Sequence, residues 1–178
     1  MKDVSKRCIR YCKLNQIWNN IWARLLFISG FIVFSDQISK YIIKINLELY
    51  DHIIVIQNFF NITHILNPGG AFGLFATTPP GVRKFVFLFV PSVVALFIVW
   101  FYKKSAQNYM FLSHGLAMIF GGAIGNLIDR FIYGQVVDFL DFYIGAYHWP
   151  AFNIADSSIA IGTGILSYHI ILKKIPDI

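Results

Sequence analysis

Long apolar stretches alternate with short polar ones along this chain. Four of the apolar stretches, at 21–43, 85–102, 109–128 and 152–172, approach the ~20 mostly apolar residues that a helix needs to cross a bilayer. The pattern between them differs in kind. Residues 44–82 are too polar to span, and Ile53, Val55 and Gln57 partly alternate with Ile54 and Ile56. The aromatic and β-branched run Phe-Phe-Asn-Ile-Thr-His-Ile-Leu follows at 59–66. A turn signal, Asn67-Pro68-Gly69-Gly70, then leads into Ala71-Phe72-Gly73-Leu74-Phe75, and Thr77-Thr78-Pro79-Pro80 closes the region. Such a pattern predicts a small sheet or hairpin resting on the membrane surface, whose Phe-rich strands suit packing against lipid and helix ends as well as an exposed edge that holds an extended peptide. Ser113, Ala117, Gly121 and Gly125 recur every four residues in the third stretch, a row of small residues that lets another helix come close. Ala155, Ser158 and Gly162 offer a matching surface on the fourth. The expected fold class is therefore a membrane all-α bundle of four transmembrane helices with a small extracytoplasmic β-sheet between the first two. The expected organisation is a single integral membrane domain over 1–178, with a tail at 1–20 and the β region at 45–82.

Composition supports that class. Hydrophobic residues make up 57% of the 178, charged residues only 13%, and mean hydropathy is +0.61; soluble domains carry about 25% charged residues. Charge placement then sets the orientation. Ten of the fifteen Lys and Arg lie on one side: Lys2, Lys6, Arg7, Arg10, Lys13 and Arg24 before or at the first span, Lys103 and Lys104 between spans two and three, and Lys173 and Lys174 after the fourth. Lys40, Lys44, Arg83, Lys84 and Arg130 lie on the other. Positive residues favour the cytoplasm, so both termini are expected there and segments 45–82 and 131–150 outside. The net charge of +6 thus reads as a topology signal and not as a nucleic-acid footprint. Cys8 and Cys12 read as free thiols in the basic tail, and no His or Cys stands at metal-ligand spacing. The first span follows a basic tail like a signal peptide, but lacks a small-residue cleavage site and contains Asp36, so it is expected to be retained.

The chemistry concentrates between 121 and 159, where four of the nine acidic residues fall: Asp129, Asp138, Asp141 and Asp156. Ionisable groups at the edge of a membrane are costly and mark functional sites. Asp36 and Lys40, four apart on one helix face, suit both a local ion pair and a place facing the bundle interior. Asn126, Asp129 and Arg130 share a face at the outer end of span three, where an Asp–Arg pair beside an amide would fix a loop. Asp138 has no basic neighbour nearby in sequence. Asp156 follows Asn153 with the same spacing as Asn126 and Asp129, and suits a helix cap as well as catalysis. Two carboxylates in a low-dielectric pocket share one proton, so that one can activate water while the other protonates the leaving amine. HExxH and GxSxG motifs are absent, and the five His are scattered.

The blocks Asp36-Gln37-Ile38-Ser39-Lys40, Asn67-Pro68-Gly69-Gly70-Ala71-Phe72, GGAIGNLIDR at 121–130, Val136-Val137-Asp138-Phe139 and PAFNIADSSI at 150–159 together resemble bacterial lipoprotein signal peptidase, also called signal peptidase II. They occur in that family's order and run from span one to span four. The resemblance implies a four-helix aspartyl protease of the bacterial inner (plasma) membrane with an outer β-cradle and no cofactor. It would cleave diacylglyceryl-modified prolipoproteins just before the lipidated Cys and be blocked by globomycin-type inhibitors. It implies Asp138 and Asp156 as the catalytic pair, with Asp36, Lys40, Asn67, Gly69, Asn126, Asp129, Arg130, Asn153 and Ala155 in supporting positions. Leu66 stands where an Arg often precedes the Asn, and Gly70 replaces a usual Ala. Membrane lipids are expected partners, and one active site per chain gives no need for a dimer, so a monomer is expected. The competing reading is a small proton-coupled transporter, disfavoured because the acids gather at the outer edge and no internal repeat is present.

Overall fold

In the computed structural model, residues 20–69 and 78–172 are described. The basic tail with Cys8 and Cys12, the 70–77 part of the expected surface region, and Lys173 and Lys174 lie outside the described residues. Helices α1 (Ile21–Asn46), α2 (Pro80–Ser105), α3 (Met110–Tyr133) and α4 (Ile154–Ile171) are each long and apolar enough to cross a membrane. Helices α1 and α3 run past their apolar stretches at one end, to Asn46 and to Tyr133, and α2 at both, from Pro80 to Ser105. Hydropathy marks the hydrocarbon layer, whereas backbone hydrogen bonding carries each helix on into the interface.

Local chemistry explains where the helices begin and stop. The Asn20 side chain accepts from the N–H groups of Trp22 and Ala23, at 3.0 and 3.3 Å, and so starts α1. Gly134 ends α3 with φ of 73°, a left-handed conformation that glycine adopts without a Cβ penalty, and its N–H donates to Arg130 O. Asn153 and Asp156 form a reciprocal capping box at the start of α4.

Helix α3 is the centre of the bundle and packs against the other three. The small residues permit this, but not in the arrangement expected from the four-residue row. A Cβ on Gly121 would meet Ser29 and Ile32 of α1, so this member of the row faces α1. The close approach to α4 is made instead by Gly115 and Gly122, against Ile165 and Gly162 and against Ala155 and Ser158. Gly125 sits where the two contacts meet, next to both Asp36 and Ala155. One apolar cluster, with Leu25, Phe101, Tyr102, Leu112 and Leu116, fills the bundle at the end away from the sheet. A smaller one, with Ile43, Val137 and Phe139, joins α1 to the sheet.

The sheet departs from its expected extent. Its antiparallel strands β1 (His52–Ile56), β2 (Phe60–Asn67), β3 (Val136–Ile144) and β4 (Tyr147–His148) lie in the order β1-β2-β3-β4. Half of it thus comes from the segment between α3 and α4, which the sequence suggested only as an outer connection. Residues 136–139 are all buried, so β3 shows no clean alternation of apolar and polar positions, and its acids hide its strand character. Ile65 pairs with Asp138 and Asn67 with Val136, which sets the end of β2 beside the start of β3.

The Gly122 contact can be tested. Gly122→Leu should lower the thermal stability of the detergent-purified protein by roughly 1–3 kcal/mol, the range for overpacking. Gly164→Leu, where a Cβ meets nothing within 4 Å, should leave it nearly unchanged.

Candidate active site

Lys40 is the origin of the site. It projects from α1 into the bundle with only 2% of its surface exposed, beside Asp36 at 0% and Asp129 at 2%. Its Nζ lies 2.7 Å from Asp36 Oδ2 and 2.9 Å from Asp129 Oδ2, and donates to Asn126 Oδ1 at 3.1 Å. Three partners match the three hydrogens of an ammonium. One cation between two carboxylates leaves an excess negative charge, and the start of α4 offsets part of it: Ala155 N donates to Asp36 Oδ1 at 2.9 Å. Asp36 is therefore both ion-paired and turned to the interior, linking α1 to α4.

The expected Asp129–Arg130 pair does not form. The cation of Asp129 is Lys40, because one buried carboxylate is satisfied inside the bundle while Arg130 turns toward the sheet end, its guanidinium 5.1 Å from the Phe87 ring. Asp129 does reach the loop that follows: Val137 N donates to its Oδ2 at 3.3 Å, anchoring β3. Gln37 is the residue that sequence reasoning passed over. Its Nε2 lies within hydrogen-bonding distance of Asp36 Oδ2, Asp129 Oδ1 and Gly125 O, at 3.2, 3.0 and 3.1 Å. An amide next to Asp36 inside an apolar span was the available signal.

Two asparagines carry this order from the ion cluster to Asp138 and Asp156. Asn126 receives Lys40 on its oxygen and donates through Nδ2 to Asp156 Oδ1 at 2.7 Å. Asn153 Nδ2 is shared among Asp138 Oδ1 (2.7 Å), Asn126 Oδ1 (3.2 Å) and Val137 O (3.3 Å). Its Oδ1 accepts from Asp156 N at 3.0 Å, while Asp156 Oδ2 accepts from Asn153 N at 3.3 Å. From the sheet side, Asn67 Nδ2 donates to Asp138 Oδ2 at 3.0 Å, and Asn67 Oδ1 accepts from Gly69 N at 3.0 Å. Ala155 is fully buried, with room only for its methyl beside Gly125.

Asp138 and Asp156 open together onto a cavity of about 550 Å³, bordered also by Asn67, Gly69, Asn126 and Arg130. Trp149, Pro150, Ala151 and Phe152 form an apolar part of its lining, with Ile65 and Leu66. Asp138 is 2% exposed. Burial pushes its carboxyl up to about 7 and the nearby Asp156 charge adds to this, against the hydrogen bonds from Asn67 and Asn153 and the charge of Lys40. Asp141, three residues on, is absent from this cavity. It accepts from Asn61 Nδ2 at 3.0 Å and faces His148 Nδ1 at 2.8 Å, bordering a separate recess with Thr63 and Tyr143. Among the described residues, no group of three or more His, Cys, Asp or Glu is arranged to hold a metal.

Residues 28–172 match the family model described as signal peptidase (SPase) II. The chain is 59% identical over 156 residues to the lipoprotein signal peptidase of Desulforapulum autotrophicum, covering 88% of this chain and 96% of that protein. The lipoprotein signal peptidase of Syntrophus aciditrophicus is 42% identical over 149 residues, 84% of this chain and 92% of its own. A bacterial membrane enzyme solved by the in meso method at 2.3 Å resolution superposes with a TM-score of 0.74 at 37% identity, covering 84% of this chain and 87% of that one.

The raised carboxyl of Asp138 has a signed consequence for stability. An acid whose pKa is higher folded than unfolded stabilises neither state differently at low pH, where it is protonated in both. It then costs stability as pH climbs from about 4 to about 7. The melting temperature of Asp138→Asn relative to the parent protein should therefore rise over that interval and level off above it, as read by thermal denaturation in detergent at stepped pH. A difference independent of pH would contradict the buried, protonated carboxyl.

Proposed function

The chain belongs to the signal peptidase II family, and we propose that it acts as an aspartyl endopeptidase through Asp138 and Asp156. The family activity is the removal of signal peptides from prolipoproteins, in a multi-pass bacterial membrane protein. The cut falls just before the Cys that carries the diacylglyceryl group. The observation that carries the mechanism is that these two acids, from a strand and a helix 18 positions apart, open onto one cavity and are each held by Asn153.

The pair divides the labour. Asp138, whose carboxyl is pushed up to about 7, is the member assigned the shared proton. Asp156 is the partner that activates water, its oxygens held by Asn126 and by the Asn153 N–H at the start of α4. Asp156 takes a proton from water as the water oxygen bonds to the scissile carbonyl carbon, while Asp138 gives its proton to the carbonyl oxygen. The resulting tetrahedral intermediate collapses when the C–N bond breaks and the proton on Asp156 passes to the amine of the Cys. Asp138 recovers its proton from the gem-diol as the new carboxyl forms. Asn67, Asn126 and Asn153 orient the two acids, and the Lys40 cluster holds the asparagines. A substrate anchored by lipid chains presents its scissile bond at headgroup height, where this cavity lies at the sheet end of the helices. Arg130, at the rim of the cavity, and the apolar wall from Trp149 to Phe152 border the peptide path.

Orientation follows the charge bias, with both termini cytoplasmic and the sheet outside. A reporter fused after Lys174 should be active only when the reporter works in the cytoplasm, and activity on the outer face would overturn this arrangement.

Asp138→Asn and Asp156→Asn should each abolish cleavage of a lipidated prolipoprotein by the purified enzyme while leaving membrane insertion intact. The double variant should lose little more, since residues acting as a unit are non-additive. Asp141→Asn should keep substantial activity, its carboxyl lying outside the cavity. The rate should follow a bell in pH whose two limbs belong to the pair and not to either residue, falling on the alkaline side as the shared proton is lost. Full activity in Asp138→Asn would refute the assignment.

A further inference from the structure

Asp141 is one of the four acids between 121 and 159, yet it has no place in the candidate catalytic cavity. It is nonetheless buried, at 8% exposed, and is held by two donors. Asn61 Nδ2 donates to its Oδ2 at 3.0 Å, and His148 Nδ1 stands 2.8 Å from Oδ1 and 3.1 Å from Oδ2. A nitrogen facing a carboxylate carries the proton, so the imidazole donates through Nδ1. The His148 ring also lies flat on that of Tyr143, with centroids 4.7 Å apart and planes 6° from parallel. Tyr143 is fixed in its turn to the connection between β1 and β2. Its N–H donates to Phe59 O at 2.9 Å, and its hydroxyl accepts from Asn58 N at 3.0 Å. His148 is thus held by two residues of β3 that β2 and its preceding turn keep in place.

The place of His148 in the chain shows what it holds in turn. Residues 136–156 form one hairpin: β3 runs out past Asp138, the chain turns at Gly145 with φ of 60°, and it returns through β4 to Asp156. The two candidate catalytic acids stand near the two ends of this hairpin, and Trp149–Phe152 of the returning arm line their cavity. Close to the acids the arm is tied by backbone. Phe152 O accepts from Phe139 N and Leu140 N at 3.0 and 2.8 Å, and Phe152 N donates to Leu140 O at 3.1 Å. At the far end β4 has only two residues, Tyr147 and His148, against about five or six in an ordinary strand. The His148 side chain supplies the lateral hold that so short a strand lacks. We propose that Asp141 and His148 are a positioning pair, which clamps the returning arm and so sets where Trp149–Phe152 meet the substrate peptide. The inference rests on the reading of Asp138 and Asp156 as the catalytic pair of this cavity. Those acids have their own supports in Asn67, Asn126 and Asn153, so the clamp governs peptide binding and leaves the chemical step alone.

The test measures kcat and KM of the full-length protein in detergent on a lipidated prolipoprotein, with a melting temperature for every variant. His148→Ala should raise KM about fivefold, the worth of a half-exposed, hydrogen-bonded ion pair, and leave kcat nearly unchanged. Asp141→Ala should do the same, and the double variant should be no worse than either, because all three lose one interaction. Asp141→Asn, whose amide oxygen still accepts from His148, should keep KM close to that of the parent. His148→Asn, whose Nδ2 takes the place of Nδ1 against Asp141, should recover part of the loss. His52→Ala removes an imidazole from the same recess on the β1 side, and as the control it should leave KM unchanged. An unchanged KM in His148→Ala, a loss confined to kcat, or additive effects of the two Ala variants would each overturn the proposal. Full activity in Asp138→Asn would instead bring down the catalytic reading, with the KM comparison still deciding the clamp.

Discussion

The buried ammonium of Lys40 is the interaction on which the rest of the structure depends. Removing one partner from a buried ionic cluster leaves an uncompensated charge and costs about 3–5 kcal/mol, a large fraction of a domain's net stability. Lys40 is surrounded so fully that its three hydrogens fix three groups on two helices: Asp36 of α1, and Asn126 and Asp129 of α3. Through Asp36 the same cluster holds the first turn of α4, and through Asp129 it holds the first residues of β3. One point charge thus sets the relative position of the four elements that carry the acids.

The asparagines convert this rigidity into chemistry. A carboxylate or a lysine in their place would shift the protonation of the acids it touched, whereas an amide donates and accepts without adding charge. Asn126 and Asn153 donate to Asp156 and Asp138 and bond to each other, so the two acids are oriented by one neutral bridge. The acids are nonetheless unlike. Asp138 sits on a strand, buried, and its carboxyl is raised; Asp156 sits in the capping box of α4. In the proposed mechanism, that asymmetry lets one member hold the shared proton and the other activate water.

Small residues make the cluster possible. Gly125 lies against Asp36 and the Ala155 methyl, and Gly122 against the Ala155 carbonyl and Ser158, which lets α1 and α4 approach α3 on two sides. In a bilayer, apolar surface gives helices little reason to associate, and close packing with interhelical hydrogen bonds takes its place. The bundle accordingly keeps many of its large side chains, such as Phe31, Phe89 and Leu96, on the outside and its polar groups within.

The sequence by itself determined a good deal. Hydropathy located the four helices because a bilayer demands ~20 apolar residues whatever the tertiary contacts, and the five motif blocks marked the family, as the comparisons bear out. It also singled out Asp36, Lys40, Asn126 and Asn153, since polar groups stand out in apolar spans. Pairing was another matter. The sequence favoured Arg130 as the partner of Asp129 because they are adjacent, yet the structure gives Asp129 to Lys40, 89 positions earlier. It placed the sheet in one segment, whereas β3 and β4 complete it from another, and it set the small-residue row of α3 against α4 when Gly121 of that row faces α1. Each of these depends on which helix lies beside which and at what rotation. Periodicity fixes the face of an element but says nothing of its neighbour, so only the tertiary structure could decide them.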